Sequence, residues 1–302
     1  MMLLCRFFIF SCLIFLNYSS FAQSFEIGVG GGISAYSGDL LPQNSKFTKT
    51  MGGAGQVYGL LSFSQNFGVE FAYRHGRVHA EDIDFDRSDR NLSFATNIDE
   101  ISVKGIYNIL PFDPYGDRGN LFTVFVGAGV SVFKFNPFTT SHQGQKVFLQ
   151  EVGTAGQRLD IDGQNNKPYS LVQLGIPLTL GVKYAISPSF TIGLELDYRY
   201  IFTDYLDDVG ADTYVDFDLL ALSNDQAALL ANRGWELTYD VNSNINPIDA
   251  AKIYFENNNL QTTQRSLGSK SDGYGFIMLK LGYIIEDFSF GGGKGKFGCY
   301  EF

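Results

Sequence analysis

Cysteine, histidine, methionine and tryptophan are all scarce in this 302-residue chain, which holds 3 Cys, 3 His, 4 Met and 1 Trp. Cys5 and Cys12 sit in an N-terminal apolar stretch, so a chain processed behind it retains Cys299 alone and closes no intramolecular disulfide. Such a thiol in an oxidising compartment is either free or linked to another chain. The histidines are His75, His79 and His142, and no nucleophile motif accompanies them, which argues against a Ser-His-Asp hydrolase. His75 and His79 would converge on a metal only from a helix, and their surroundings read as a strand running into a loop. Basic charge is also short: 22 Lys and Arg against 32 Asp and Glu leave a net charge of −10. That balance excludes a nucleic-acid partner, which demands a net basic face. Beyond the first residues there is no apolar run of the roughly 20 residues that a membrane-crossing helix needs.

The N-terminus reads as a targeting segment. Arg6 precedes an apolar run from Phe7 to Leu16, and Ser20-Phe21-Ala22 places small residues where a signal peptidase reads. Residues 1–22 are therefore expected to be a signal peptide cleaved before Gln23, since the run is too short to anchor as a helix. A rival cut at Ser11-Cys12 loosely matches a lipoprotein box, but the apolar stretch before it is unusually short.

What the chain has in quantity is glycine and aromatics, 34 Gly, 17 Tyr and 28 Phe, a composition that favours strands and turns over helices. Period-2 alternation runs through the sequence. From Thr191 to Phe202, the residues Ile192, Leu194, Leu196, Tyr198, Tyr200 and Phe202 fall on one side, and Thr191, Gly193, Glu195, Asp197 and Arg199 on the other. Residues 172–184 repeat the pattern, with the turn Ser187-Pro188-Ser189 between them. The same template predicts strands near 25–37, 53–63, 67–76, 97–109, 121–135, 171–184, 190–203 and 273–285. Their length matches the roughly 9–11 residues with which a tilted strand crosses a bilayer. Long connections at 38–52, 77–96, 136–170 and 204–272 alternate with short ones at 64–66, 110–120 and 185–189, the loop rule of bacterial outer-membrane barrels. The expected fold is thus all-β: an eight-stranded antiparallel, transmembrane up-and-down barrel over 23–288, with long loops outside and a periplasmic tail over 289–302. A soluble lipocalin-like barrel is the rival architecture, but it keeps a polar outer face.

The alternation also assigns an inner face, whose ionisable residues are Glu26, Glu70, Arg74, Glu100, Lys104, Lys183, Glu195, Asp197, Arg199 and Lys280. Five acids face five bases, so these charges are expected to interlock instead of lining a channel of one sign. Alternate glycines in Gly28-Val29-Gly30-Gly31-Gly32 fit the lumen of a narrow barrel better than a phosphate loop, because no lysine or helix start follows.

The outer loops show little chemistry. Asp160-Ile161-Asp162-Gly163 begins like a calcium loop but has a misplaced glycine and no glutamate at the twelfth position. The cluster Asp204, Asp207, Asp208 and Asp212, continued by Asp216 and Asp218, reads as solvated loop carboxylates ahead of a weak calcium site. Asp225 to Asn232 is expected to form a short helix with Ser223 as its cap. No cofactor motif occurs, and the expectation is a non-enzymatic protein.

Several phrases resemble a known family. Glu26-Ile27-Gly28-Val29-Gly30-Gly31 with Tyr36-Ser37-Gly38-Asp39-Leu40 is similar to the opening of the PorG-like outer-membrane barrels of type IX secretion. Arg90-Asn91-Leu92-Ser93-Phe94, Phe135-Asn136-Pro137, Gly153-Thr154-Ala155-Gly156-Gln157, Tyr169-Ser170-Leu171 and Gly181-Val182-Lys183-Tyr184 follow in order. Phe202-Thr203-Asp204-Tyr205-Leu206-Asp207-Asp208-Val209 is the most specific. The resemblance implies a scaffold set in outer-membrane lipid that meets a periplasmic ring built from a lipoprotein and its partner. The basic tail, with Lys294, Lys296 and Cys299, is then the expected contact to that ring. The alternative is a surface adhesin or receptor that binds an external ligand through 204–272.

Overall fold

The computed structural model describes residues 24–41, 47–115, 120–161, 164–165, 167–210, 213–266 and 272–285. The expected signal peptide, the tail with Lys294, Lys296 and Cys299, and Asp212 lie outside them.

Eight long strands form the body: β1 (Ser24–Ser37), β2 (Gly52–Ser62), β3 (Phe67–Glu81), β4 (Ser93–Asn108), β5 (Phe122–Lys134), β6 (Val172–Ala185), β7 (Phe190–Ile201) and β8 (Gly273–Ile285). Each pairs antiparallel with its sequence neighbours, and β1 pairs β8 from Phe25↔Ile285 to Ser37↔Gly273, which closes the sheet. The result is a closed up-and-down barrel in which no long strand has a free edge.

Outward rows such as Leu174, Leu178, Leu180, Leu194, Leu196 and Leu281 are exposed. An apolar band that encircles the sheet is far larger than water tolerates, and it meets lipid. Close approaches to β1 require glycine at two positions, one against a lumen ring and one against the backbone of β8. A Cβ on Gly28 would lie 2.4 Å from the Tyr58 ring, and one on Gly32 would lie 1.9 Å from the Ile277 carbonyl oxygen.

The hairpin β3–β4 corrects the expected loop at 77–96, because only residues 82–92 lie between its strands. Strand alternation continues past Tyr73, but its polarity inverts. Val78 and Ala80 point inward and are buried, while Arg77 and Glu81 point outward and are exposed. Above the lipid the outer face meets water and the inner face meets a packed core, so the apolar-out alternation ends before the strand does.

Residues 202–272 are also more structured than expected. Helices α1 (Phe217–Ser223), α2 (Asp225–Ala231) and α3 (Pro247–Asn257) gather over the barrel mouth. The cap of α2 is Asn224, whose side chain accepts from the Gln226 amide, and not Ser223, which ends α1. Tyr214, Phe217, Leu220, Trp235 and Phe255 give these helices a core of their own.

Candidate functional site

Two regions bring charged residues together: the lumen and the seat of the cap. Strand alternation projects all ten lumen residues inward, and the structure buries every one. Near the short-turn end, Lys183 Nζ lies 3.3 Å from Glu26, which also accepts from the Tyr58 hydroxyl at 2.7 Å. Lys280 Nζ reaches Glu70 at 2.6 Å and Glu195 at 2.9 Å. Lys104 Nζ lies 3.1 Å from Glu70 and 3.2 Å from both Glu195 and Asp197. Arg74 is the hub, at 2.8 Å from Glu195, 3.1 Å from Asp197, 3.3 Å from Glu70 and 3.4 Å from Glu100. Arg199 completes the stack with two bonds to Glu100, at 2.7 and 2.8 Å. A void of about 20 Å³ among Glu26, Tyr58, Glu70, Lys183 and Lys280 has room for about one water.

Hydrophobic plugs lie on either side of the charges. Phe112, Ala185 and Ile284 cluster at the short-turn end. At the other end, Tyr36, Phe94, Phe133, Phe135, Tyr274 and Phe276 pack with Leu206, Val209 and Leu230 of the cap.

Above this plug, two buried arginines tie the four long connections together. Arg90 holds both oxygens of Asp82 at 2.6 Å and donates to the Arg265 carbonyl at 2.5 Å and the Asp39 carbonyl at 3.3 Å. Arg265 donates to the carbonyls of Asp208 at 3.1 Å and Ala231 at 3.3 Å, and to the Thr154 hydroxyl at 2.9 Å. Asp39, Asp82, Thr154 and Asp208 come from different loops, so this clasp seats the whole cap. Neither arginine stands out in the sequence as a buried group; Arg90 appears there only inside a family-like phrase.

The acidic cluster is solvated only in part: Asp218 is exposed as the sequence suggests, but the carboxylates nearest β7 are not. Asp207 and Asp208 are buried, and Asp204 is half-buried. Asp207 accepts from the Tyr36 hydroxyl at 2.5 Å and the Val209 amide at 2.9 Å. Asp208 accepts from the hydroxyls of Thr154 and Tyr169. Asp272 accepts from the Leu206 amide at 2.8 Å. A chain that folds back over its own barrel must satisfy its amides and hydroxyls locally, and these carboxylates do so. Asp216 caps α1 through the Leu219 amide, while Asp218 pairs with Lys252 at 2.7 Å.

Burial is the largest influence on Asp207 and pushes its carboxyl up to about 7; Asp39 adds to the rise and the Tyr36 hydrogen bond opposes it. Asp272 is raised well above the usual carboxylate range, by burial first and then by Asp207 and Asp204. A carboxyl held neutral by the fold stabilises it fully below its unfolded value of about 3.9, and that contribution is lost as pH rises through the folded value. The seat of the cap is therefore expected to loosen between about pH 4 and pH 7. Amide exchange of residues 203–209 should be faster at pH 8 than at pH 5 after correction for intrinsic rates. Asp207→Asn should flatten that dependence, and an unchanged profile in the variant would refute the assignment.

The histidines are dispersed. His75 Nδ1 contacts Asp99 at 2.8 Å on the outer wall, and the His142 ring lies edge-on to Trp235 with centroids 5.3 Å apart. Among the described residues, no group of three or more His, Cys, Asp or Glu is placed to hold a metal.

A comparison with curated proteins finds no match. Among solved structures, the chain is similar to the attachment invasion locus protein Ail of Yersinia pestis at 11% identity and a TM-score of 0.36, covering 87% of this chain and 97% of Ail. Neisserial surface protein A is matched at 11% identity and a TM-score of 0.39, over 87% of this chain and 96% of that one. The outer membrane protein OprG of Pseudomonas aeruginosa is matched at 11% and 0.36, over 89% and 98%. A family model matches residues 5–247, and the chain accordingly belongs to the family described as a domain of unknown function, DUF6089.

Proposed function

We propose that the chain is an exported, non-conducting and non-enzymatic outer-membrane barrel that serves as an anchoring scaffold in type IX protein secretion. The observation that carries the non-conducting part is the filled lumen: five acids and five bases interlock across it between two hydrophobic plugs. A barrel filled in this way offers no path for a solute, so its work falls to its ends. The type IX assignment draws on the resemblance to PorG-like proteins, whose quoted phrases contribute Tyr36, Asp39, Arg90, Thr154, Tyr169, Asp207 and Asp208 to the cap seat. In this reading the long loops face outward, and the tail with Lys294, Lys296 and Cys299 meets the periplasmic ring lipoprotein and its partner.

A second reading is a surface receptor or adhesin. It is favoured by apolar side chains left uncovered on the cap, where Leu222 is 85% and Val241 80% exposed. One experiment separates the two readings. The purified barrel in a planar bilayer should give no stepwise conductance. Cells in which a short turn replaces residues 213–266 should retain the barrel but lose type IX cargo export if it is a scaffold. Normal export with loss of surface binding would favour the receptor, and steady ion conduction would overturn the sealed-lumen reading itself.

A further inference from the structure

The outward row of β3 is apolar through Phe71 and Tyr73 and then becomes His75, Arg77, His79 and Glu81. This change marks where the lipid-facing band ends. At the same level the register sets His75 beside Asp99 on β4, and Asp99 beside Lys134 on β5. Two outward positions further along β4, Ala95 pairs with Phe138, the start of a small hairpin formed by Phe138–Thr140 and Lys146–Phe148. Lys146 Nζ sits 3.7 Å from the centre of the Phe138 ring and 4.8 Å from that of Phe148, and the Arg77 guanidinium carbon is 5.5 Å from Phe138. Rings that hold two cations in place reduce the freedom each would lose on meeting an anion.

The outward acids of the β3–β4 wall are Asp99 and Glu81, and Glu236 adjoins the small hairpin paired at 2.8 Å with Arg233, which bonds Thr139. Asp99 is already engaged by the Tyr73 hydroxyl at 2.7 Å and His75 at 2.8 Å. Around the rest of the wall the outward residues near this level are Val172, beside Lys134, then Tyr200, Gly273, Ser37 and Gly53, with no cation among them. A chain of net charge −10 thus concentrates Arg77, Lys134 and Lys146 on one side of the barrel, at the depth where lipid headgroups begin.

We propose that the outer ends of β3, β4 and β5, with the small hairpin, form a docking surface for the phosphate-bearing headgroup of a lipid in the leaflet on the long-loop side. The proposal rests on the reading that the apolar band is embedded in a membrane. Phosphate suits the flank because Arg supplies a forked donor and Lys a compact charge. A lipid source suits it because the cations adjoin an apolar wall that acyl chains would cover.

The test uses the full-length barrel, wild type and R77Q/K134Q/K146Q, with bis-phosphorylated lipid A and its phosphate-free form as probes. Native mass spectrometry should show wild type retaining the phosphorylated lipid, with retention falling about fivefold for each cation removed and weakening with salt. Equal retention by the variant, or equal retention of the phosphate-free lipid, would overturn the proposal. So would complete displacement by millimolar inorganic phosphate, which would mean that the flank reads free phosphate. Flotation with phosphatidylcholine vesicles separates the two readings. Wild type that floats without preferring phosphorylated lipid refutes the headgroup site alone, whereas wild type that fails to float refutes the membrane reading as well. The single variant K134Q, away from the cation–ring stack, gives the same readout should the triple variant fold poorly.

Discussion

Arg74→Met is expected to destabilise the barrel by about 3–5 kcal/mol, because it strips four buried carboxylates of a shared counter-ion. Arg74 contacts Glu70, Glu100, Glu195 and Asp197, and its side chain has no exposed surface. Methionine fills comparable volume, so the loss reports uncompensated charge and not a cavity. Adding Asp197→Asn to the same chain leaves four acids facing four bases and should recover part of the loss. Urea unfolding in detergent, followed by the mobility of unheated protein on a gel, measures both. An Arg74→Met barrel as stable as wild type would show that the lumen charges are hydrated and that the interior is open.

Arg90→Ala should act elsewhere and just as strongly. Asp82 would remain buried with the Leu92 amide as a neutral donor at 2.9 Å, while the ties to Arg265 and Asp39 disappear. Breaking a buried pair from one side costs about 3–5 kcal/mol. The expected result is a released cap on an intact barrel: protease added to whole vesicles should cut within 203–266 while the strands stay protected. Arg90→Lys keeps the charge but loses the fork onto Asp82, and should give intermediate cleavage. Cleavage equal to wild type in Arg90→Ala would mean that the helices hold themselves down without the clasp.

These two residues also show what was legible in the sequence. Arg74 lies in a stretch where apolar and polar residues alternate with period 2, and the alternation alone assigns it to the inner face. The strand count and closed architecture follow from the same signal, because lipid on one side and a crowded lumen on the other impose opposite demands on successive residues. Arg90 sits in a connection with no period. Its burial depends on Asp82, Arg265 and Asp39, separated from it by 8, 175 and 51 positions, and no local pattern encodes such a meeting. Asp207 and Asp208 mislead for the same reason: a run of acids in a loop resembles a solvated surface until the chain folds back over them. The cap helices do carry local signals, above all Asn246-Pro247, where the Asn side chain accepts from the Asp249 amide and proline occupies the first turn of α3.

The manner in which Arg90 and Arg265 grip the loops has a further consequence. Apart from Asp82 and Thr154, they hold peptide carbonyls, at Asp39, Ala231, Asp208 and Arg265 itself. Every amino acid presents the same carbonyl, so a fastening of this kind is blind to side-chain identity at those positions. The exposed tips beyond them are free to change letter by letter while the platform beneath keeps its shape.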